Sequence, residues 1–293
     1  MLRGRRPLIG STPGRSRLQS FLEREMSLVN TSTSRCICEA VAEDGVSIVY
    51  EDLGRGEPLV LLHGVTESRE CWHEAGYVEH FLQRERRLIL VDCRGHGGSG
   101  KPHDPAAYSG RRRAADIVAV LDHAGIRRAA LVGHSMGGVI ALATAVYHPD
   151  RVSALIVNGA HPFAEDLTLL RATLEDNFEA WLAFLKQLAP DLSPDSCRRI
   201  RGNDLAAVQA SLARDRPDFS AALAGLGIPV LAIAGTLDPR CDAIRKFAEL
   251  AGGEFLPLVG KNHVTAFLDV EPIGPAVDEF LGCVSTRNTG LGG

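Results

Sequence analysis

A chain of 293 residues with 45% hydrophobic and 23% charged residues has the balance of a soluble enzyme able to bury a large core. Its net charge of −4 is too mild for a nucleic-acid or membrane surface to be the main partner, and the chain has no run of 18 apolar residues long enough for a transmembrane helix. The expected partner is a small molecule, and a homo-oligomer is compatible with this balance.

Residues 1–33 are expected to be a disordered or extraneous extension, with the true start of the protein at Met26 and residues 1–25 ahead of it. Arg3, Arg5, Arg6, Arg15 and Arg17 precede the first acid, Glu23, a composition that also fits a transit peptide. The seven cysteines are odd in number and scattered, unlike a secreted disulfide framework, and so read as reduced thiols of a cytoplasmic protein. Cys36 and Cys38 have no matching Cys or His pair and read as two thiols on one face of a strand rather than a metal site.

From residue 36 the elements alternate. Cys36 to Ala42 and Val46 to Leu53 flank Glu43-Asp44-Gly45 and predict an antiparallel hairpin, because Asp-Gly suits the positive φ of a tight turn. Near-continuous apolar runs follow at Leu59 to Leu62, Leu88 to Val91, Ala129 to Val132, Ala154 to Val157, Val230 to Ile233 and Phe255 to Val259. Such runs suit parallel strands covered on both faces, and helical patterns such as Arg113 to His123 and Val139 to Tyr147 supply the crossovers. The expectation is an α/β fold with an eight-stranded, mostly parallel sheet and helices on both faces.

The stretch between the run ending near Gly159 and the one starting near Pro229 is far longer than the dozen or so residues a crossover needs. It holds helical patterns at Leu167 to Leu174, Phe178 to Leu188 and Leu205 to Leu212, broken by Pro190 and Pro194. It reads as a helical cap inserted after the sixth strand. The expected organisation is therefore a first core part over 34–160, the cap over 161–227, a second core part over 228–283, and a flexible tail over 284–293.

Gly133-His134-Ser135-Met136-Gly137 fits G-x-S-x-G between a strand and a small-residue helix, the context of a nucleophile on a strained turn. A serine hydroxyl needs a base, and of the ten histidines His263 is best placed, after the last strand run. His134 is expected to point elsewhere. Asp238, directly after the strand at Val230, is the carboxylate expected to orient that imidazole. The backbone N–H groups of Met136 and of Val65, in the turn after Leu62, are the expected donors to a tetrahedral oxyanion. His63 reads as a structural histidine bonding backbone around that turn.

These residues resemble the α/β-hydrolase superfamily from roughly Val46 to Leu281. Leu62-His63-Gly64, the Asp92-Cys93-Arg94-Gly95-His96-Gly97-Gly98-Ser99 turn, the serine elbow and Gly235 to Asp238 recur there in this order. The likeness is nearest to the esterase, enol-lactonase and cofactor-free haloperoxidase group, which share the Gly-His-Ser-Met-Gly-Gly elbow. It implies a serine hydrolase acting on a carboxylic ester or lactone through an acyl-enzyme on Ser135, with no metal or cofactor. Carbon–carbon bond hydrolysis or perhydrolysis on the same residues, and a non-catalytic ligand-binding protein of this fold, are the alternatives. Phe163 and Trp181 are candidate substrate-binding residues of the cap, although packing of cap on core accounts for either of them better. Arg198, Arg199 and Arg201 read as solvated surface charges.

Overall fold

The computed structural model describes residues 36–289, so the expected extension over 1–33 lies outside the described residues. The hairpin expected at the start is formed by β1 (Cys36–Val41) and β2 (Ser47–Gly54), with Gly45 at φ +81° in its turn. Cys36 and Cys38 lie on one face of β1, their sulfurs 3.0 Å apart.

Strands β3 (Pro58–Leu62), β4 (Arg87–Val91), β5 (Ala129–His134), β6 (Val152–Asn158), β7 (Val230–Gly235) and β8 (Glu254–Leu258) complete one eight-stranded sheet. The order is β1-β2-β4-β3-β5-β6-β7-β8, antiparallel at β1-β2 and β2-β4 and parallel elsewhere. Parallel pairing places the ends of β3, β5, β6, β7 and β8 along one edge, with Leu62 beside Gly133, His134 beside Asn158 and Gly235 beside Leu258.

The period-2 alternation of the strands builds a core on each face. Val60, Leu62, Ile89 and Val91 pack with helices α3 (Gly110–His123), α4 (Met136–Tyr147) and α10 (Cys241–Ala251). Leu59, Leu61, Leu88 and Leu90 pack on the other face, with α1 (Glu70–Glu74), α2 (Tyr77–Leu82), α11 (His263–Phe267) and α12 (Val270–Thr289). Part of the flexible tail expected over 284–293 is helical: α12 continues through Thr289, with Val284 buried where its apolar face still meets the sheet, and residues 290–293 lie outside the described residues.

Between β6 and β7 stand five helices, α5 (Thr168–Ala172), α6 (Glu179–Leu188), α7 (Pro194–Arg201), α8 (Leu205–Leu212) and α9 (Ser220–Leu223). Pro194 does not break a helix but opens α7. It occupies the first turn, where no N–H is needed, behind the Ser193 hydroxyl that accepts from Ser196 N at 2.9 Å. The cap has a small core of its own, including Leu174, Trp181, Ile200 and Val208, and Val65 and Val264 of the hydrolase core pack against it.

The Asp92 to Ser99 turn is held by charge. The Asp92 carboxylate accepts from Arg69 N and Gly98 N, both at 2.8 Å, while the Ser99 hydroxyl donates to Asp92 O and accepts from Val49 N. Arg94, 3% exposed, donates to Asp116 at 2.6 Å and to Asp44 at 2.9 Å, which ties this turn to α3 and to the β1–β2 turn. Arg94→Met strands the buried Asp116 carboxylate and is expected to lower stability by about 3–5 kcal/mol. Urea unfolding would measure it; a loss below about 1 kcal/mol contradicts this role.

Candidate active site

Ser135 joins β5 to α4 at φ +52°, a left-handed conformation that costs a non-glycine residue energy. Its neighbours explain how the turn closes. A Cβ on Gly137 would stand 2.0 Å from Leu62 O, and one on Gly133 would stand 2.4 Å from Gly137 O. Only glycine lets the start of α4 approach β3 this closely. Ser135 N donates to Asn158 O at 2.9 Å, fixing the elbow to the end of β6.

Asp238 and His263 come from the turns after β7 and β8. Gly235 has no room for a side chain because Lys261 O lies where its Cβ would be, and Thr236 N and Leu237 N donate to Leu258 O and Lys261 O. The two turns are thereby laced together, and His263 Nδ1 meets Asp238 Oδ2 at 2.6 Å. His263 is the first residue of α11 rather than a loop residue. Asn262 caps that helix, accepting from Val264 N and Thr265 N, and its amide donates to Leu188 O of the cap at 2.8 Å. The second Asp238 oxygen accepts from Arg240 N at 3.0 Å. Burial pushes the Asp238 carboxyl up, but the His263 bond, with Arg240 behind it, outweighs burial and holds it below its usual range.

With Nδ1 engaged by Asp238, Nε2 is the ring nitrogen free for a hydroxyl. Among the described residues neither His263 Nε2 nor Ser135 Oγ makes a hydrogen bond. His263 rests against Gly159, whose Cβ would stand 2.8 Å from its ring, and Gly159 follows the Asn158 that holds Ser135. His134 does not point away from this region, as its place in sequence suggests. Its ring stacks on Phe267 at 4.6 Å and tilts against His263 at 4.9 Å, because the last residue of β5 projects toward α11.

The turn after β3 faces the elbow: a Cβ on Gly64 would lie 3.7 Å from Ser135 Cβ. Val65 N–H has no partner among the described residues, and Met136 N–H is one of the four that a helix start leaves unpaired. His63 bonds backbone around this turn. Its Nε2 accepts from Cys93 N at 3.0 Å, so Nδ1 carries the proton and donates to Gly64 O at 2.7 Å.

The cap is pinned to this turn through Thr66, at φ +64° and 1% exposed. Trp181 Nε1 donates to Thr66 Oγ1 at 2.8 Å, and Asn203 Nδ2 donates to Thr66 O at 2.7 Å. Trp181 is therefore held between cap and core, whereas Phe163 lies beyond the end of β6 beside His161, with Lys246 Nζ 5.0 Å over its ring. Of the three arginines of α7, Arg198 and Arg201 are solvated surface charges as expected, paired with Asp195 and with Glu179 at 2.7 Å, whereas the mostly buried Arg199 is held by Glu67 and Glu74. Sequence reasoning missed Thr66, Asn203 and Asn262. A polar residue directly after His-Gly-x was a signal for the first, whereas contacts made from the cap left no local pattern. It also passed over His161, buried three residues beyond β6. Among the described residues no group of three or more His, Cys, Asp or Glu side chains stands close enough to hold a metal ion.

Residues 57–230 match the family model described as alpha/beta hydrolase fold. The chain belongs to this family. It is 28% identical over 284 residues, 87% of this chain and 99% of the other, to a putative 2-succinyl-6-hydroxy-2,4-cyclohexadiene-1-carboxylate synthase of Bacillus subtilis (strain 168). It is 39% identical over 116 residues to the 2-hydroxymuconate semialdehyde hydrolase of Pseudomonas sp. (strain CF600), a match covering 40% of this chain and 41% of that protein. The solved structure of the esterase RhEst1 from Rhodococcus sp. ECU1013 superposes with a TM-score of 0.75 at 28% identity, over 85% of this chain and 99% of that one.

Burial holds His63, His96 and His134 neutral, with proton affinities below that of a free histidine. The unfolded chain binds these protons below about pH 6.5 and the folded chain resists them, so stability falls as pH drops below that value. Glu67, pushed up to about 6 by burial, works the opposite way and offsets about one of the three. Urea midpoints should therefore fall steadily from pH 7 to pH 5; a flat profile contradicts the neutral assignment.

Proposed function

We propose that the protein is a serine hydrolase that cleaves a carboxylic ester or lactone of a small molecule through an acyl-enzyme on Ser135. The observation that carries this reading is the 2.6 Å bond from His263 Nδ1 to Asp238, made at the same sheet edge as a serine held at φ +52°. In this reading His263 Nε2 takes the Ser135 proton as the hydroxyl attacks the carbonyl, and Asp238 stabilises the imidazolium that forms. The N–H groups of Val65 and Met136 receive the oxyanion. His263 then returns the proton to the leaving alcohol, and the same base activates the water that releases the acid. Trp181, held over the Val65 turn by its bond to Thr66, walls the acyl site. The chemistry asks for no metal or organic cofactor. The seven free thiols fit a cytoplasmic location, and among the described residues no helix is long and apolar enough to cross a membrane.

Carbon–carbon bond hydrolysis is the second reading. It is favoured by the likeness to the 2-hydroxymuconate semialdehyde hydrolase, and it would use the same three residues.

Hydrolysis of p-nitrophenyl esters of increasing acyl length discriminates the two. The parent is expected to turn them over, and Ser135→Ala to lose about four orders of magnitude or more in kcat. Asp238→Asn should lose about 10³-fold or more in kcat, since the imidazole then has the wrong tautomer. A parent inactive on every ester, or a Ser135→Ala variant equal to it, overturns the ester reading and moves the test to products of carbon–carbon cleavage.

A further inference from the structure

Beside the elbow, a cleft of about 360 Å³ runs between the cap, the first turn of α3 and one face of α4. One wall follows α4 from the buried Met136, next to Ser135, through Val139, Ile140 and Ala143 to the exposed Tyr147. Leu212 and Phe219 of the cap segment face it, so most of the lining is apolar. Four arginines belong to this lining: Arg111 and Arg214 are exposed, whereas Arg113 from α3 and Arg216 from the cap segment are half-buried.

Arg113 differs from the paired cap arginines. Its Nη2 donates to the carbonyl of Ser211 at 2.8 Å and its guanidinium lies 5.3 Å over the Tyr108 ring, but its Nε is buried with no hydrogen-bond partner. No carboxylate among the described residues stands within ion-pair distance of it. Burial lowers its proton affinity only to about 10, so it stays a cation at neutral pH. Arg216 is no better neutralised, since the one carboxylate it meets, Glu165 at 2.5 Å, is shared with Arg240. Asp215, the acid in the lining, is occupied by Arg171 at 2.8 Å and by Leu167 N. Two arginines thus enter an apolar cleft with less negative charge than they need, and a buried guanidinium with an unfilled donor is costly to keep.

We propose that this cleft binds the carboxylate of an acid-bearing substrate, with Arg113 as its anchor and Arg216 beside it, while the scissile carbonyl lies at Ser135. A planar carboxylate fits the guanidinium fork, and an aliphatic or aryl spacer suits the wall from Met136 to Ala143. The inference rests on the Ser135 reading above for where the substrate reacts, but the binding itself does not depend on it.

The test compares p-nitrophenyl butyrate with mono-p-nitrophenyl glutarate in the parent, Arg113→Met and Arg113→Lys. The parent should prefer the glutarate ester. The ratio of kcat/KM for glutarate over butyrate should fall tenfold or more in Arg113→Met and be partly restored in Arg113→Lys. A merely structural arginine would lower both esters together, so a ratio that stays within twofold overturns the proposal. Calorimetry of free glutarate with the Ser135→Ala protein supplies the arm independent of chemistry. Binding that weakens tenfold or more when Arg113→Met is added supports the anchor even if no ester is turned over, in which case only the Ser135 reading has failed. No binding, or binding indifferent to Arg113, overturns it.

Discussion

The elbow at Ser135 is the constraint on which the rest of the site depends. A left-handed serine between β5 and α4 is strained, and it persists because Gly133 and Gly137 let the backbone close where any Cβ would strike a carbonyl. The same close approach sets α4 directly against the end of β3. That proximity brings the Val65 turn to the serine and starts α4 at Met136, directly after it. Strain, helix start and facing turn are one local arrangement.

The Asp238–His263 pair is built separately and meets the elbow at the His134 ring and at Gly159. Asp238 and His263 stand on turns that are hydrogen-bonded to each other, with Gly235 allowing the contact. Their partners in the cap differ in kind from their partners in the core. Asn262 reaches Leu188, Trp181 and Asn203 reach Thr66, and Val65 and Val264 rest on the cap's own small core. The cap is thus fastened at the two turns that flank Ser135, so its position and the geometry of the candidate site are coupled.

Much of this was legible in the sequence because short-range chemistry dictates it. Continuous apolar runs specified buried strands, and glycines flanking a serine between a strand and a helix specified the elbow. The spacing of Asp238 and His263 after the last strands specified which carboxylate meets which imidazole. What could not be read depends on contacts distant in sequence. Pro194 looked like a break because its Ser193 cap acts only if a helix follows. His134 looked remote because the side of the sheet it faces is set by strand register. Arg199 looked like a surface charge because Glu67 and Glu74 are brought to it by folding, and Arg113 gave no signal because its missing partner is a property of the assembled cleft.

The measurement that tests the central claim most directly is covalent labelling with a fluorophosphonate, followed by peptide mass mapping and by the labelling rate in His263→Gln. An activated serine predicts a single adduct on Ser135 that forms quickly in the parent and orders of magnitude more slowly without the imidazole. An unlabelled Ser135, or labelling at the same rate in both proteins, would contradict the claim that the His263–Asp238 pair activates it.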